Sequence, residues 1–193
     1  MGGGNAIYEL YILGELMGGN LHGYLLHTIL NQVVGPLRKI SWGVLYPLIR
    51  RLEDEGLIEQ VLDEQTHKGR GKKRKPYRIT QTGKHQFYLL MEEPIAYTAD
   101  YDLHFQIKLS NFCNVKDDVK LIILHQYKDH LCFIRRHIED NRAQIVHFNQ
   151  IPDVEKPHIL NVLDLRSKQV EVNERWIEEK IQEVKKALSV DNH

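Results

Sequence analysis

The feature that most constrains the fold is a basic tract flanked by two short segments of β type. Residues 67–78 (HKGRGKKRKPYR) contain seven Lys or Arg and no acidic residue. The runs 57–62 and 77–80 have the residue types of short strands, and the glycine-punctuated stretch 63–75 between them predicts a long loop. Two strands that carry a long basic loop form a wing, and the charge of this wing would attract a polyanion.

Two helical patterns open the chain. The first covers residues 5–17, where apolar residues recur with helical spacing before a Gly-Gly-Asn turn. Asn20 can cap a second helix, which a Gly-Pro pair ends at 35–36. We expect the buried face of this second helix to consist of four regularly spaced apolar residues, Leu21, Leu25, Ile29 and Val33.

A third helical pattern runs from Ser41, a residue type suited to a helix N-cap, to about Glu55, with Gly56 following it. Its apolar residues follow i, i+3, i+4, i+7 and predict a face toward the core: Leu45, Leu48, Ile49 and Leu52. A second face with the same spacing is polar, aromatic and small: Gly43, Tyr46, Pro47 and Arg50. Because proline lacks a backbone N–H, we expect the helix to start late or to bend near Pro47.

The sequence changes character after the wing. A fourth helix is predicted to start at Thr80 or Thr82 and to stop before Pro94. Three longer helical patterns follow, over residues 100–112, 115–150 and 157–188. The break at Ile151-Pro152 permits an antiparallel hairpin of the last two helices.

This order of elements predicts the fold class. Three helices, a two-stranded sheet with a basic loop and a further helix make the order of a winged helix-turn-helix. We therefore predict a mainly α fold of the α+β winged-helix type. Residues 1–93 would form the winged helix-turn-helix domain, and residues 94–193 an all-helical dimerisation domain that could also receive an effector.

The last helical pattern carries an apolar stripe near a 3.5-residue repeat, with charged residues between its members. We assign dimerisation to six positions of this stripe: Ile159, Leu163, Val170, Ile177, Ile181 and Val184. The terminal helices could instead pair only within one chain. That alternative leaves an apolar stripe in water unless something covers it.

The net charge of zero conceals an asymmetry between the two halves of the chain. Residues 1–90 carry 12 Lys or Arg against 8 Asp or Glu, whereas residues 91–193 carry 14 against 18. The excess positive charge therefore lies in the half that contains the wing, as expected for a domain that binds a polyanion.

Composition and motifs argue against several classes of protein. No run approaches the ~18 apolar residues of a membrane helix and the N-terminus lacks a leader pattern, so we expect a cytoplasmic protein. Nucleophile motifs, a GxxxxGK[ST] phosphate loop and metal-ligand spacings are missing from the sequence, so we expect no enzyme, cofactor or metal site. Cys113 and Cys132 lack CxxC spacing and are expected to be buried thiols.

A winged helix-turn-helix lays its third helix in the major groove, while the wing lies along the phosphate backbone. We assign the groove-facing surface to Ser41, Gly43, Tyr46, Pro47 and Arg50. We assign phosphate contacts to the wing residues Arg70, Lys72, Lys73, Arg74 and Lys75. His22 and Tyr24 either pack inside the domain or lie against a phosphate. Arg51 and Glu53 leave the polar face, and we expect them to pair with neighbouring charges.

Three parts of the sequence resemble the PadR family of bacterial transcriptional regulators. They are LHGY at 21–24; ISWGVLYPLIRRLE at 40–53 with GLI at 56–58; and GRG at 69–71 through YRIT at 77–80 with Gly83. The middle part is the most specific, and the resemblance covers roughly residues 7–91. The C-terminal half is similar in helix length and placement to the longer PadR subgroup. Trp42 stands where the family usually has a smaller residue, and we include it among the DNA-binding side chains.

The resemblance implies a homodimer that represses transcription. It would release its operator when a small molecule, often aromatic, binds near the junction of the two domains. A two-fold dimer favours double-stranded DNA with an inverted-repeat operator. The rival interpretation is a winged-helix protein-interaction adaptor without DNA binding, which would be expected to lack the basic charge of the wing.

Five of the 16 aromatic residues crowd into the segment that links the two predicted domains: Phe87, Tyr88, Tyr97, Tyr101 and Phe105. They could simply pack the domains together, or they could form the walls of an aromatic effector pocket. For the second interpretation the candidate effector residues are Tyr88, Tyr97, Tyr101 and Phe105.

Overall fold

The computed structural model describes residues 3–36, 38–61 and 76–191, and it divides into two compact units, residues 1–116 and 117–193. The first unit contains α1 (Gly3–Met17), α2 (Gly23–Val33), α3 (Trp42–Asp54), β1 (Ile58–Gln60), β2 (Tyr77–Ile79), α4 (Gln81–Glu92), α5 (Tyr101–Ser110) and a 3-10 turn (Phe112–Asn114). The second unit contains α6 (Asp117–His147) and α7 (Lys156–Asp191). This order confirms the predicted mainly α winged-helix fold.

Helix α1 lies at the centre of the first unit, where it contacts α2, α3, α4, α5 and β2. Its apolar residues are buried on more than one side of the helix: Ile7, Leu10, Tyr11, Ile12, Leu13 and Leu16. Tyr11 is completely buried, and its hydroxyl donates a hydrogen bond to the carbonyl of Leu26 at 3.1 Å. That bond satisfies the one polar atom of the ring, so the phenol can occupy the core.

The buried face of α2 differs from the predicted one. Leu26 and Leu30 are fully buried, whereas the expected Leu21, Leu25, Ile29 and Val33 are only half-buried. The predicted cap at Asn20 is also wrong, because α2 begins at Gly23 with His22 in the N-cap position. The reason is a backbone pairing: Leu21 exchanges two hydrogen bonds with Tyr77, at 3.1 and 2.8 Å, which keeps residue 21 extended.

The two strands pair antiparallel, with Ile58 opposite Ile79 and Gln60 opposite Tyr77. They are shorter than predicted, and the loop between them falls in residues 62–75, outside the described part of the chain. Thr80 caps α4 by accepting a hydrogen bond from the N–H of Gly83 at 3.1 Å. Gly83 is required here, since a Cβ would lie 2.0 Å from the carbonyl oxygen of Leu57.

The second unit is an antiparallel pair of long helices, the hairpin that the break at Ile151-Pro152 permits. Lys128 pairs with Glu178 at 2.6 Å, and Arg135 of α6 pairs with Glu174 of α7. Four of the six predicted dimerisation residues are buried in this single chain, where α7 packs on α6: Leu163, Val170, Ile177 and Ile181. The predicted stripe therefore already has a partner helix within its own chain.

The compact units do not divide where the sequence analysis places the domain boundary. The predicted domains meet between residues 93 and 94, whereas the first unit continues to residue 116 and includes α5. Within this unit α5 contacts α1. The Asn111 side chain at the end of α5 lies so close to Gly14 of α1 that a Cβ there would be 2.2 Å from its Oδ1.

Three further sequence expectations concern metals, membrane-spanning helices and thiols. Among the residues placed by the structure, no group of three His, Cys, Asp or Glu side chains could hold a metal ion. In the same portion of the chain, no helix has the length and apolar character to cross a bilayer. The expectation of buried thiols is wrong, because Cys113 is exposed and Cys132 is half-buried.

Candidate nucleic-acid interface

The two faces of α3 separate as the sequence spacing predicts. Leu45, Leu48, Ile49 and Leu52 are buried. On the other side, Ser41, Trp42, Gly43, Pro47 and Arg50 are exposed and Tyr46 is half-buried. A helix whose apolar side is buried and whose polar and aromatic side is exposed can enter a DNA groove without disturbing the core.

Pro47 lies inside α3 rather than near its start. The helix begins at Trp42 with Ser41 in the N-cap position, so the expectation of a late start is wrong. The Ser41 hydroxyl makes no capping bond, and the Ser41 carbonyl accepts the N–H of Val44 and of Leu45, at 3.1 and 3.2 Å. The first turn is therefore held by its backbone and by what packs against it.

Trp42 forms a stack of three rings with residues of both helices. Its ring centroid lies 3.9 Å from that of His27 of α2, with planes 13° apart, and 4.9 Å from that of Tyr46, with planes 29° apart. The indole is nevertheless 37% exposed. The ring stack His27–Trp42–Tyr46 thus ties the outward face of α3 to α2.

A hydrogen-bond network supports this ring stack from behind. The Nε2 atom of His27 lies 2.8 Å from the carbonyl oxygen of Ile40. The Asn31 amide bonds both backbone groups of Ile40: its Oδ1 accepts the Ile40 N–H at 2.8 Å, and its Nδ2 donates to the Ile40 carbonyl at 3.2 Å. These bonds fix the residue that immediately precedes the N-cap of α3. The sequence analysis missed His27 and Asn31, whose only signal was the spacing of two polar residues at i, i+4.

An open cleft of about 570 Å³ adjoins the ring stack. It is bounded by residues of α2 and of the turn before α3, among them Thr28, Pro36, Lys39 and Ser41. Arg38 also borders it, and its guanidinium bonds Asp100 at 2.6 Å, which raises the pKa of Arg38. The cleft therefore combines an aromatic wall with cationic edges.

His22 and Tyr24 lie at the start of α2. Their rings stack at a centroid distance of 5.6 Å, and Tyr24 is 49% exposed. The ring of Tyr77 lies next to Gly23, since a Cβ built at Gly23 would be in ordinary van der Waals contact with it at 3.7 Å. This placement leaves Tyr24 accessible from outside and joins the start of α2 to the base of the wing.

The predicted phosphate-binding residues Arg70, Lys72, Lys73, Arg74 and Lys75 lie outside the described residues. The strands at their base are described, and Arg78 of β2 bonds Glu59 of β1 at 2.8 Å across the pair. Arg51 and Glu53 serve neighbouring groups, as expected. Arg51 pairs with Glu9 and Glu55, and Glu53 accepts a hydrogen bond from Gln60 at 3.3 Å.

The four candidate effector residues differ in accessibility. Tyr101 and Phe105 of α5 are each 3% exposed, whereas Tyr88 and Tyr97 are 42% and 59% exposed. Tyr97 and Tyr101 make a tilted ring contact at 5.4 Å, and Tyr88 makes an edge contact with Phe87 at the same distance. Two of the four rings are thus core residues of the first unit.

The class of protein follows from this geometry and from one comparison. Three helices, a β-hairpin and α4 form a winged helix-turn-helix, with the outward face of its third helix uncovered. Residues 10–88 match the model of the transcriptional regulator PadR-like family. This part of the N-terminal unit is therefore similar to a family whose members are transcriptional regulators.

Solved structures of PadR and PadR-like regulators resemble the chain at low identity. Bacillus subtilis PadR in complex with operator DNA has 20% identity and a TM-score of 0.40, over 91% of this chain and 98% of that one. The same protein with p-coumaric acid has 18% identity and a TM-score of 0.38, over 93% and 99%. A PadR-like regulator from Bacillus cereus has 26% identity and a TM-score of 0.38, over 93% and 99%. No curated protein sequence matches the chain.

Proposed function

We propose that the chain is a homodimeric repressor that reads operator DNA with the outward face of α3. The observation that supports this most strongly is the division of α3, whose apolar side is buried while Trp42, Pro47 and Arg50 are exposed. A folded domain normally covers the apolar side of a helix and keeps a polar side for water or a partner. Here the uncovered side combines an arginine, rings and a glycine, which suits the edges of base pairs.

The wing supplies the non-specific part of the binding. Each phosphate that a Lys or Arg neutralises contributes about −0.9 to the slope of log K against log salt. Replacement of Lys72, Lys73 and Arg74 by alanine should flatten this slope by roughly 2–3 and weaken all DNA sequences alike. An unchanged slope would show that these wing residues do not touch DNA.

One experiment separates this proposal from the interaction adaptor. The purified protein is used to select fragments from a genomic DNA pool, and the enriched fragments are sequenced and titrated with salt. Enrichment of an inverted repeat with half-site centres about 10 base pairs apart, or a multiple, supports a two-fold regulator. Absence of any enrichment, with no salt-dependent binding, supports the adaptor.

In this proposal, two copies of the chain contact each other through the second unit. Since α6 already covers the stripe with Ile177 and Ile181, a second copy needs another apolar surface. Helix α7 offers one in Val162, Leu165 and Val172, which are 50%, 59% and 59% exposed. Their spacing of three and seven residues places them on one side of the helix, as in a coiled-coil seam.

The effector is proposed as a planar, largely apolar molecule that binds beside Tyr88, Tyr97, Tyr101 and Phe105. A hundredfold loss of operator affinity needs only about 2.7 kcal/mol of preference for the released state. By reciprocity, operator DNA must weaken the binding of the compound by the same factor. A compound found by thermal shift should therefore bind less tightly with operator present. If operator DNA does not change the affinity of the compound, these four aromatic residues serve only in packing.

A further inference from the structure

The ring stack His27–Trp42–Tyr46 connects two helices. His27 lies in α2 and is half-buried, whereas Trp42 and Tyr46 lie on the outward face of α3, in its first and second turns. The separation of the His27 and Trp42 rings, 3.9 Å at 13°, is that of a close parallel stack. Any movement of the His27 ring therefore reaches the surface that would meet DNA.

We propose that His27 is a positioning residue for DNA reading, which acts through Trp42 to hold Tyr46 and the first turn of α3 in the orientation that recognises base pairs. This rests on the proposed function, since it assigns a role in sequence preference to a side chain that does not itself face the groove. Trp42 is then a clamp between α2 and α3, and its indole contributes to specificity by fixing Tyr46.

The orientation of the His27 ring is fixed by chemistry on the α2 side. A carbonyl oxygen only accepts hydrogen bonds, so the 2.8 Å contact between Nε2 and the Ile40 carbonyl requires Nε2 to carry the hydrogen. The amide nitrogen of Asn31, 3.2 Å from Nε2, then directs its hydrogens to the carbonyls of His27 and Ile40. The ring is held at its edge and presents its face to Trp42.

The first turn of α3 lacks the usual features that stabilise the start of a helix, and the clamp takes their place. The N-cap residue Ser41 makes no side-chain capping bond, and the first turn carries no acidic residue. A helix start without these features frays more readily. Stacking of Trp42 on His27 replaces them with a contact that also sets the ring next to Tyr46.

The consequence is separable from general DNA affinity. Phosphate contacts position a protein on DNA but carry no sequence information, so they do not depend on the exact direction of α3 side chains. Loss of the clamp should therefore lower affinity for the selected operator by about two- to tenfold, the value of one aromatic pair. Affinity for random DNA should change by less than about twofold.

The test uses the full-length protein and four variants of the stack. These are His27→Ala, Trp42→Ala, the double variant, and His27→Phe, which keeps a ring and loses the bond to Ile40. Gln32→Ala, at an exposed position of the same helix, is the matched control. Affinities are measured on the selected operator and on random DNA, and thermal unfolding is recorded for each variant.

A fluorescence measurement reports the clamp without DNA. The chain has two tryptophans, so a Trp176→Phe background leaves Trp42 as the only indole. His27→Ala should make Trp42 more accessible to acrylamide quenching, His27→Phe should restore protection, and Gln32→Ala should change nothing.

The outcomes distinguish the clamp from the proposed function as a whole. Because His27 and Trp42 would act as one unit, the double variant should lose about as much operator affinity as either single variant, and His27→Phe should recover most of the loss. Fully additive losses, equal losses on operator and random DNA, or unchanged quenching would each overturn the positioning role. A wild-type protein that does not distinguish operator from random DNA would instead overturn the proposed function.

Discussion

Arg51 of α3 donates to the carboxylate of Glu9 of α1 at 2.5 Å, and the same guanidinium bonds Glu55 at 3.1 Å. The carboxylate of Glu9 is nearly buried and also accepts a hydrogen bond from Gln86 of α4 at 3.0 Å. One buried acid thus joins three helices of the first unit. The hydrogen bond to Glu9 raises the pKa of Arg51, which remains charged at any pH at which the protein is folded.

Removal of Arg51 should therefore destabilise the first unit rather than alter sequence preference. Arg51→Met leaves the Glu9 carboxylate buried with only Gln86 as a partner, and we expect a loss of about 1–3 kcal/mol in the free energy of unfolding. Denaturant titration measures this loss. The matched control is Glu55→Ala, which removes only an exposed i, i+4 pair and should cost about 0.5 kcal/mol or less. Equal effects of the two variants would contradict the role of Glu9.

The histidine of α5 makes the first unit sensitive to acid. Burial lowers the pKa of His104 to about 4, and the ammonium of Lys108 adds to this shift. Lys108 is itself buried, donates to the carbonyls of Met91 and Glu93 at 2.9 and 2.5 Å, and has a pKa lowered by burial to about 8. Lys108 is therefore charged throughout the range in which His104 titrates, and it opposes protonation of the ring.

The sign of the pH effect follows from the proton count. Between pH 6.5 and 4 the unfolded chain binds a proton at His104 and the folded chain does not, so stability falls as pH falls through this window. We expect His104→Gln to remove about 2 kcal/mol of this acid-induced loss, after allowance for the partial exposure of the ring. Unfolding titrations at pH 7 and pH 4.5 measure it, with His85→Gln at an exposed position as control. Parallel losses in both variants would assign the sensitivity elsewhere.

Much of the first unit can be predicted from the sequence because its spacing is unambiguous. In α3 the Leu and Ile residues all follow the i, i+3, i+4, i+7 spacing, and all four are buried as that spacing predicts. Helix α2 is different: it carries apolar residues at 25, 26, 29, 30 and 33, so more than one stripe fits helical spacing. In the structure Leu26 and Leu30 are the buried pair, and the Leu26 carbonyl accepts a hydrogen bond from Tyr11 of α1, a tertiary contact that leaves no local signal.

The same limit applies to His27 and to the apolar stripe of α7. The role of His27 depends on Ile40 and Trp42, 13 and 15 residues away, so a lone histidine in a helix gives no warning of it. For α7, a heptad-like stripe predicts that a surface is covered but not which chain covers it. Only the three-dimensional arrangement shows α6 packed on Ile177 and Ile181.

The two apolar sides of α7 should therefore respond differently to charge. Leu165→Asp with Val172→Asp places charges on the exposed stripe, and we expect monomers in sedimentation, loss of tight operator binding and thermal unfolding that no longer depends on protein concentration. Ile177→Asp buries a charge between α6 and α7, and we expect the hairpin itself to unfold at a lower temperature. A stable dimer of the Leu165→Asp, Val172→Asp variant would place the interface on another surface.

Arg50 gives the most specific test of how α3 reads DNA. The next residue, Arg51, pairs with Glu9, whereas Arg50 is exposed on the outward face of α3. An arginine that reads guanine makes two parallel hydrogen bonds to the base edge, and its loss costs about 1–3 kcal/mol on the preferred site and relaxes preference at one base pair. Arg50→Ala should show this in competition binding against operators changed one base pair at a time.

Arg50→Lys separates the two contacts that an arginine could make there. Lysine keeps the positive charge but lacks the planar fork, so it replaces arginine well at a phosphate and poorly at a guanine. We expect Arg50→Lys to keep most of the affinity for random DNA and to lose preference at the same base pair as Arg50→Ala. If Arg50→Lys instead restores full discrimination, Arg50 contacts the backbone, and the base reading of α3 must come from the side chains around Tyr46.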